Sequence, residues 1–140
     1  LLWEYESSIQ NKGYVVGQMR LVNEQIEHIS PQVPPNNETI CSGYEVNDKN
    51  QYTEEFIKEN LNCLGNLMLI SGSHNASIGN KPFLNKLNSY KQNPLLNQQG
   101  EIKTFNSGDD KKPLWDIVAI GKRHKVIHDF AAKKWSFDNI

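Results

Sequence analysis

Two short segments of the chain carry residues that together could hold a divalent metal ion and activate a water molecule. Glu27 and His28 stand side by side at the end of a run that alternates polar and apolar residues, and Asn66 and Asn75 bracket a second, apolar run. Carboxylate and amide oxygens are hard ligands suited to Mg²⁺, and imidazole is the side chain that titrates near neutrality. The pattern predicts a metal-dependent site for phosphodiester cleavage, in which Glu27 and an asparagine hold the metal and His28 is the general base.

The composition is that of a globular domain whose charge is unevenly distributed. The chain has 140 residues, 37% of them hydrophobic and 22% charged, which is enough to bury roughly two-thirds of its surface. Residues 1–80 contain four Lys or Arg and ten Asp or Glu, a net charge of −6, whereas residues 81–140 contain eleven and six, a net charge of +5. This division permits a basic face against phosphates, although a dipolar surface without a ligand explains it equally well.

The chain lacks the patterns of membrane insertion and of structural zinc. No apolar run approaches the roughly 18 residues that a membrane span requires, and the start has no signal-peptide pattern, so we expect a cytoplasmic protein that contacts no membrane. Because the chain opens on Leu1 rather than on Met, we expect a domain excised from a longer protein, with a partner region upstream. Cys41 and Cys63 lie 22 residues apart without zinc-finger spacing, which favours a reduced pair.

The first half of the chain alternates between weak helical and strand signals. Apolar spacing predicts a terminal helix over residues 1–10, and residues 15–26 begin with helical spacing. Residues 25–29 alternate like a strand, which Pro31 then ends. The Pro-, Asn- and Gly-rich stretch over residues 33–51 is predicted to be loop.

A helix and a strand are predicted for the middle of the chain. Thr53 is a good N-cap for a helix that we expect to end at Gly65, with an apolar face formed by Phe56, Ile57, Leu61 and Leu64. Residues 66–70 form a compact apolar strand, and the polar residues 71–75 are predicted to form a turn. The order of elements between residues 22 and 91 is that of a ββα unit, and the chain as a whole is predicted to be α+β.

The last part of the chain is predicted to contain two helices separated by a loop. The first helix covers residues 81–91 and the second covers residues 114–135, with the Asn-, Gln- and Lys-rich residues 92–113 between them. The apolar positions expected to form the buried stripe of the second helix are Ile117, Val118, Ile120, Ile127, Phe130 and Ala131. We also expect Trp3, Trp115 and Trp135 to lie in the core.

Three segments in this order resemble the HNH nuclease domain at the C-terminus of GmrSD-type modification-dependent restriction endonucleases, within the His-Me finger (ββα-metal) superfamily. The segments are residues 26–32, 64–71 and 75–86. The terminal helix with Trp115, Ile120, Arg123 and Trp135, and the helix that begins the chain, are similar to those of the family. The resemblance covers the chain except for residues 33–51 and 92–113, and it implies a single HNH-type domain over residues 1–140.

The resemblance assigns a role to each residue of the site. It implies that Glu27 is the acidic ligand of Mg²⁺ or Mn²⁺, that His28 is the catalytic base, and that Asn66 matches the central asparagine that helps to position the histidine. Asn75 matches the second metal ligand. Many members of the superfamily carry Asp where this chain has Glu27, so the metal position must adjust.

Several assignments stay open at the level of sequence. His74 or Asn80 could replace Asn75 as the second metal ligand, although Asn80 is also a natural N-cap for the helix that follows. Lys81, Lys86 and Arg123 could contact the phosphates beside the scissile bond, with solvated surface charge or a structural ion pair as the alternatives. A second pair of histidines, His124 and His128, has i, i+4 spacing but lacks the glutamate of a zinc motif.

The resemblance implies a DNA endonuclease of a restriction or phage-defence system, coupled to an upstream nucleotide-hydrolysing domain or subunit. Two other functions remain compatible with the residues. One is a catalytically inactive nucleic-acid-binding module on the same fold, which the acidic first half of the chain favours slightly. The other is an RNase toxin, because a His-Me site can in principle cut either nucleic acid.

Overall fold

The computed structural model of the protein describes residues 1–10, 23–34, 42–92 and 96–136. Within these ranges it is an α+β arrangement of helices around a small two-stranded antiparallel sheet. In chain order, the elements are α1 (Leu2–Ile9), β1 (Glu24–His28), α2 (Glu54–Phe56, continued by a π-helix over Ile57–Leu61), a 3₁₀ turn (Leu64–Asn66), β2 (Leu67–Ser71), α3 (Gly72–Ile78), α4 (Phe83–Gln92), α5 (Asn97–Phe105) and α6 (Ile117–Lys134). The helical spacing predicted from residue 15 onward falls mostly on residues outside the described ranges, and Cys41 also lies outside them. The strand predicted at the end of that stretch lies within the described ranges.

The sheet brings the two predicted halves of the site side by side. β1 and β2 pair in an antiparallel register that sets Glu27 opposite Met68 and His28 opposite Leu67. The backbone N–H of Ile29 donates to the carbonyl of Asn66 at 3.0 Å and extends the pairing by one bond. Because neighbouring strands lie only about 4.8 Å apart, this register fixes His28 next to the start of β2.

The hydrophobic core lies beneath β2 and is closed by α4, α5 and α6. Met68 and Ile70 of β2 are fully buried together with Phe83 and Tyr90 of α4. Trp115, just before α6, is also fully buried, and its ring packs on that of Phe83 with centroids 5.3 Å apart. This core supports β2 directly, whereas β1 contributes one buried residue, Glu27.

One predicted N-cap and several predicted elements match the structure. Thr53 caps α2, since its hydroxyl accepts a hydrogen bond from the N–H of Phe56 at 3.1 Å. The expected terminal helix, the strand before Pro31 and the apolar strand after Asn66 are confirmed within one or two residues at each end. The long final helix is also confirmed, although it begins at Ile117, after Asp116 as its N-cap.

Two stretches predicted to be irregular contain helices. Residues 71–75 were expected to form a turn, but Ser71 accepts a hydrogen bond from the N–H of His74 at 3.3 Å and caps α3. The expected loop over residues 92–113 contains α5. The carboxylate of Glu6 accepts hydrogen bonds from the N–H groups of Asn97 and Gln98 at the start of α5, so a distant side chain satisfies donors that the local sequence leaves open.

Gly65 is required for close packing and does not cap a helix. The helix before it ends at Leu61, and Gly65 lies in the 3₁₀ turn against α6. A Cβ atom at this position would overlap the carbonyl oxygen of Ile120 and come within 2.9 Å of the backbone nitrogen of His124. The expected C-cap role is therefore wrong, and the glycine lets the turn before β2 touch α6.

Burial along α6 and at the tryptophans also differs from the prediction. Ile117 and Val118 were expected inside but are 47% and 52% exposed. The buried positions of α6 are Ala119, Ile120, Arg123 and Ile127. Trp115 is in the core as predicted, whereas Trp135 is 53% exposed and Trp3 is half-buried, with its indole N–H donating to Glu24 at 2.7 Å.

Candidate active site

A cleft of about 250 Å³ lies beside the end of β1. Glu27 and His28 line it from β1, Asn75 lines it from α3, and Asn80 lines it from the segment after that helix. The remaining lining residues are Gln25, Ile26, Pro31, Gln32, Ala76, Gly79 and Lys86. The fold thus brings to one cavity the acid, the imidazole and the amide that the sequence predicted to act together.

The His28 imidazole is held by an asparagine that the sequence analysis did not select. Its Nε2 lies 2.9 Å from Oδ1 of Asn62, the residue that follows the π-helix. An amide oxygen can only accept a hydrogen bond, so Nε2 carries the hydrogen in this geometry. Among the described residues, none is hydrogen-bonded to Nδ1, the nitrogen that then holds a lone pair.

Asn66 holds the backbone around the site and does not touch the imidazole. Its buried side chain accepts hydrogen bonds from the N–H of Ser30 at 2.8 Å and from the indole of Trp115 at 3.0 Å. Its amide donates to the carbonyls of Ser30 at 3.1 Å and of Leu61 at 2.9 Å. The central asparagine therefore ties the turn after His28 to the end of α2, which is a positioning role exercised through the main chain.

Glu27 is a buried residue of the cleft that is held by two side chains of α4. It is only 3% exposed, and its Oε1 accepts hydrogen bonds from the Lys86 ammonium and from the Tyr90 hydroxyl, both at 2.7 Å. Burial raises the pKa of Tyr90 well above its ordinary value, and the Glu27 charge adds to that shift. Burial lowers the pKa of Lys86, and the Glu27 charge works in the opposite direction.

Both donors meet the same oxygen of Glu27, which leaves the second oxygen for other partners. Within the described ranges, Oε2 has no hydrogen bond. Since a carboxylate offers about four lone-pair sites, this oxygen remains able to bind a cation or a donor in the cleft. Lys86 and Tyr90 thus fix the carboxylate through one oxygen, and the described residues leave its other oxygen without a hydrogen bond.

The geometry favours Asn75 over its neighbour His74 as the residue that could supply a second metal ligand beside Glu27. The Asn75 amide donates to Oε1 of Gln25 at 2.8 Å, so its own oxygen is not used in that bond. Both ring nitrogens of His74 are engaged, Nε2 with the hydroxyl of Ser89 at 2.7 Å and Nδ1 with the amide of Gln99 at 3.3 Å. Burial lowers the pKa of His74 below its usual value, and the Glu27 charge works in the opposite direction.

Asn80 remains available as an alternative ligand. It is exposed, lines the cleft, and lies three residues before α4 begins at Phe83, so it does not cap that helix. Throughout the described part of the chain, no group of three or more His, Cys, Asp or Glu side chains is arranged to hold a metal ion. Any metal here would have to rely on one carboxylate, amide oxygens and water.

Two of the three basic residues expected to touch phosphates are inside the protein. Lys86 has no exposed surface, and its ammonium is bonded to Glu27 and, at 2.7 Å, to the carbonyl of His28. Arg123 is equally buried. Its guanidinium pairs with Glu101 at 3.4 Å and donates to the backbone carbonyls of Leu64, Gly65 and Leu67. These positions are at odds with the expected phosphate contacts, because a cation buried beside a carboxylate is out of reach of a solvent-exposed ligand.

Lys81 is the basic residue of that set that lies on the surface. It is exposed and next to Asn80 at the cleft, although α4 begins two residues later than predicted. Its side chain remains the candidate among the three for a phosphate contact.

Asn62 and Tyr90 are the site residues that the sequence analysis missed. Neither residue belongs to the segments that carry the predicted motif. Their spacing from Glu27 and His28 is 63 and 34 residues, respectively, so no local pattern links them to the motif. Asn62 does lie four residues before Asn66, and two asparagines flanking a turn were the available signal.

Comparison with known families bears on what this cleft does. The family described as GmrSD restriction endonucleases, C-terminal domain, matches residues 1–130. The chain belongs to this family. The match includes both strands, the helix that follows them and most of α6. It confirms the resemblance to the C-terminal domain of GmrSD-type restriction endonucleases. Comparisons with curated proteins and with solved structures gave no match.

Family membership connects the chain with restriction endonucleases, and so with nucleases whose substrate is DNA. Along the described ranges, no helix has both the length and the apolar character needed to cross a membrane.

Proposed function

We propose that this domain of the GmrSD restriction endonuclease family hydrolyses DNA phosphodiester bonds at the cleft, as an HNH-type nuclease within a phage-defence system. The observation that carries the proposal is the meeting of Glu27, His28 and Asn75 in one cavity beside β1. In this scheme His28 accepts the proton of the attacking water, since a neutral imidazole is a good base near pH 7. We further propose that the protein acts in the cytoplasm with an upstream nucleotide-hydrolysing domain or subunit.

The donors in the cleft fit a single Mg²⁺ or Mn²⁺ ion. Oε2 of Glu27 and Oδ1 of Asn75 are hard oxygen donors that the bonds described above leave unused. Mg²⁺ commonly takes one or two carboxylates and completes its shell with water and substrate phosphate, so two protein ligands suffice. A bound ion would stabilise the negative charge that develops on the phosphate oxygens. Lys86 and Tyr90 keep the Glu27 carboxylate oriented for it.

Nicking of a supercoiled plasmid tests the proposal. We expect the 140-residue chain to nick duplex DNA with Mg²⁺ or Mn²⁺ and to stop when EDTA is added. His28→Ala should lower the rate at least about 100-fold because it removes the general base. His128→Ala is the matched control, since His128 is an exposed histidine of α6 and its loss should leave the rate unchanged.

The same assay separates the rival functions. DNA binding without nicking in either metal would point to an inactive nucleic-acid-binding module. Faster cleavage of single-stranded RNA than of duplex DNA would point to an RNase. Equal rates for the parent protein and for His28→Ala would remove the imidazole from the reaction.

A further inference from the structure

We propose that Asn62 is the positioning residue for the His28 imidazole and that it selects Nδ1 as the nitrogen that takes the proton. This inference rests on the proposed function. Asn62 Oδ1 lies 2.9 Å from Nε2 of His28. Because an amide oxygen accepts and never donates, the contact holds the hydrogen on Nε2. The lone pair of the neutral ring is then on Nδ1, the nitrogen that the described residues leave without a hydrogen bond.

The local backbone is built to present Asn62. Residues Ile57–Leu61 form a π-helix, and the chain leaves the helix at Asn62 with φ −107° and ψ 13°. Short π-helical segments are rare and are frequent at functional sites, and the bridge region of backbone conformation is where many active-site residues lie. Asn62 is exposed, so its side chain lies at the surface of the protein and not in the core.

Asn66 keeps His28 and Asn62 in register. Its amide donates to the carbonyl of Leu61, the residue before Asn62, and its side chain exchanges two hydrogen bonds with Ser30, two residues after His28. The two asparagines therefore act at different levels. Asn66 fixes the two backbone segments relative to each other, and Asn62 then orients the ring and sets its tautomer.

The reaction step consistent with this geometry conserves all atoms and charges. The water loses a proton to Nδ1 of His28 as its oxygen forms a bond to phosphorus, and the ring becomes an imidazolium with hydrogen on both nitrogens. The bond from phosphorus to the leaving oxygen then breaks, and that oxygen keeps the bonding electron pair and takes a proton from solvent water. Asn62 continues to accept the Nε2 hydrogen throughout, so no rotation of the ring is needed.

Variants of Asn62 test the inference with two independent readouts. Asn62→Ala removes the acceptor and should lower kcat about tenfold with little change in KM, because the lost interaction orients a catalytic group and does not touch DNA. Asn62→Asp keeps the acceptor and adds a charge that favours the imidazolium, so the acidic limb of the kcat–pH profile should move up by about one pH unit. At pH above that limb, Asn62→Asp should recover most of the parent rate.

Ring ¹⁵N chemical shifts supply the second readout, in the metal-free protein at pH 8. We expect the neutral His28 ring to show a protonated Nε2 and an unprotonated Nδ1. His28→Ala assigns this signal among the four histidines of the chain. In Asn62→Ala the two ring shifts should move toward one another as the second tautomer becomes populated. Asn88→Ala, which alters an exposed asparagine of α4, should leave the His28 signal and the pH profile unchanged.

The outcomes separate this inference from the nuclease proposal. A protonated Nδ1 in the parent protein, His28 shifts that Asn62→Ala does not alter, or a pH profile that Asn62→Asp does not move would overturn the role of Asn62 even if DNA is cleaved. If the parent protein cleaves no nucleic acid, the nuclease proposal and the catalytic step fall. The ring shifts would then still decide whether Asn62 sets the tautomer.

Discussion

Replacing Lys86 by methionine should destabilise the fold strongly, because it removes the partner of a buried carboxylate. Lys86 is fully buried and donates at 2.7 Å both to Oε1 of Glu27 and to the carbonyl of His28. Methionine fills a similar volume but offers no donor. Glu27, only 3% exposed, would keep the Tyr90 hydroxyl at 2.7 Å as its hydrogen-bond donor from the described residues.

The expected cost is large compared with the stability of a small domain. Breaking a buried ion pair on one side costs about 3–5 kcal/mol, because the remaining charge is left uncompensated. Total stabilities are about 5–15 kcal/mol, so Lys86→Met should lower the melting temperature by roughly 10 °C. Lys81→Met is the matched control, since Lys81 is exposed and its replacement should change the free energy of unfolding by less than about 0.5 kcal/mol.

A double-mutant cycle distinguishes loss of the pair from simple loss of packing. Glu27→Gln replaces the charge by a neutral amide that still accepts from Tyr90. The double variant with Lys86→Met should be about 2 kcal/mol more stable than the sum of the two single effects predicts, because residues in contact show coupling energies of this size. Urea unfolding followed by tryptophan fluorescence gives the free energies at a shared m-value.

Either of two results would refute this reasoning. One is a urea unfolding midpoint of Lys86→Met that equals the midpoint of Lys81→Met. The other is strict additivity of the two single variants, since that would mean that Lys86 and Glu27 do not interact in the native protein.

Two further predictions concern packing and pH. Gly65→Ala should lower the free energy of unfolding by several kcal/mol (about 1–3 or more), because the added Cβ meets the carbonyl of Ile120. Gly100 lies within α5 and has nothing within 4 Å of an added Cβ, so Gly100→Ala should raise the free energy of unfolding by about 1 kcal/mol. Equal melting temperatures for the two variants would contradict both predictions. Burial lowers the pKa of His74 from 6.5, so as pH falls through 6.5 the unfolded chain binds a proton that the native ring resists, and stability declines. His74→Gln should make the urea midpoint depend less on pH between pH 7 and 5. An unaltered slope of the midpoint against pH would exclude His74 as the cause of the decline.

Much of the local architecture could be predicted because its causes are local. A hydroxyl at Thr53 before two acidic residues caps a helix wherever that helix lies, and alternation before Pro31 favours a strand. The pairing of Glu27 and His28 in one motif likewise needed only adjacency in sequence. The helix over residues 97–105 escaped prediction because its first N–H groups are satisfied by Glu6, about 91 residues away.

The sequence by itself determined the residue types of the candidate site, the strand that carries Glu27 and His28, and the family to which the chain belongs. Only the tertiary structure decided which charges lie inside. From the sequence alone, Lys86 and Arg123 are expected to be surface cations. Their partners, Glu27 and Glu101, are 59 and 22 residues away and meet them only in the folded chain. The same holds for Asn62, because the free energy of burying a charge or of orienting an imidazole depends on distant groups that meet only in the folded chain.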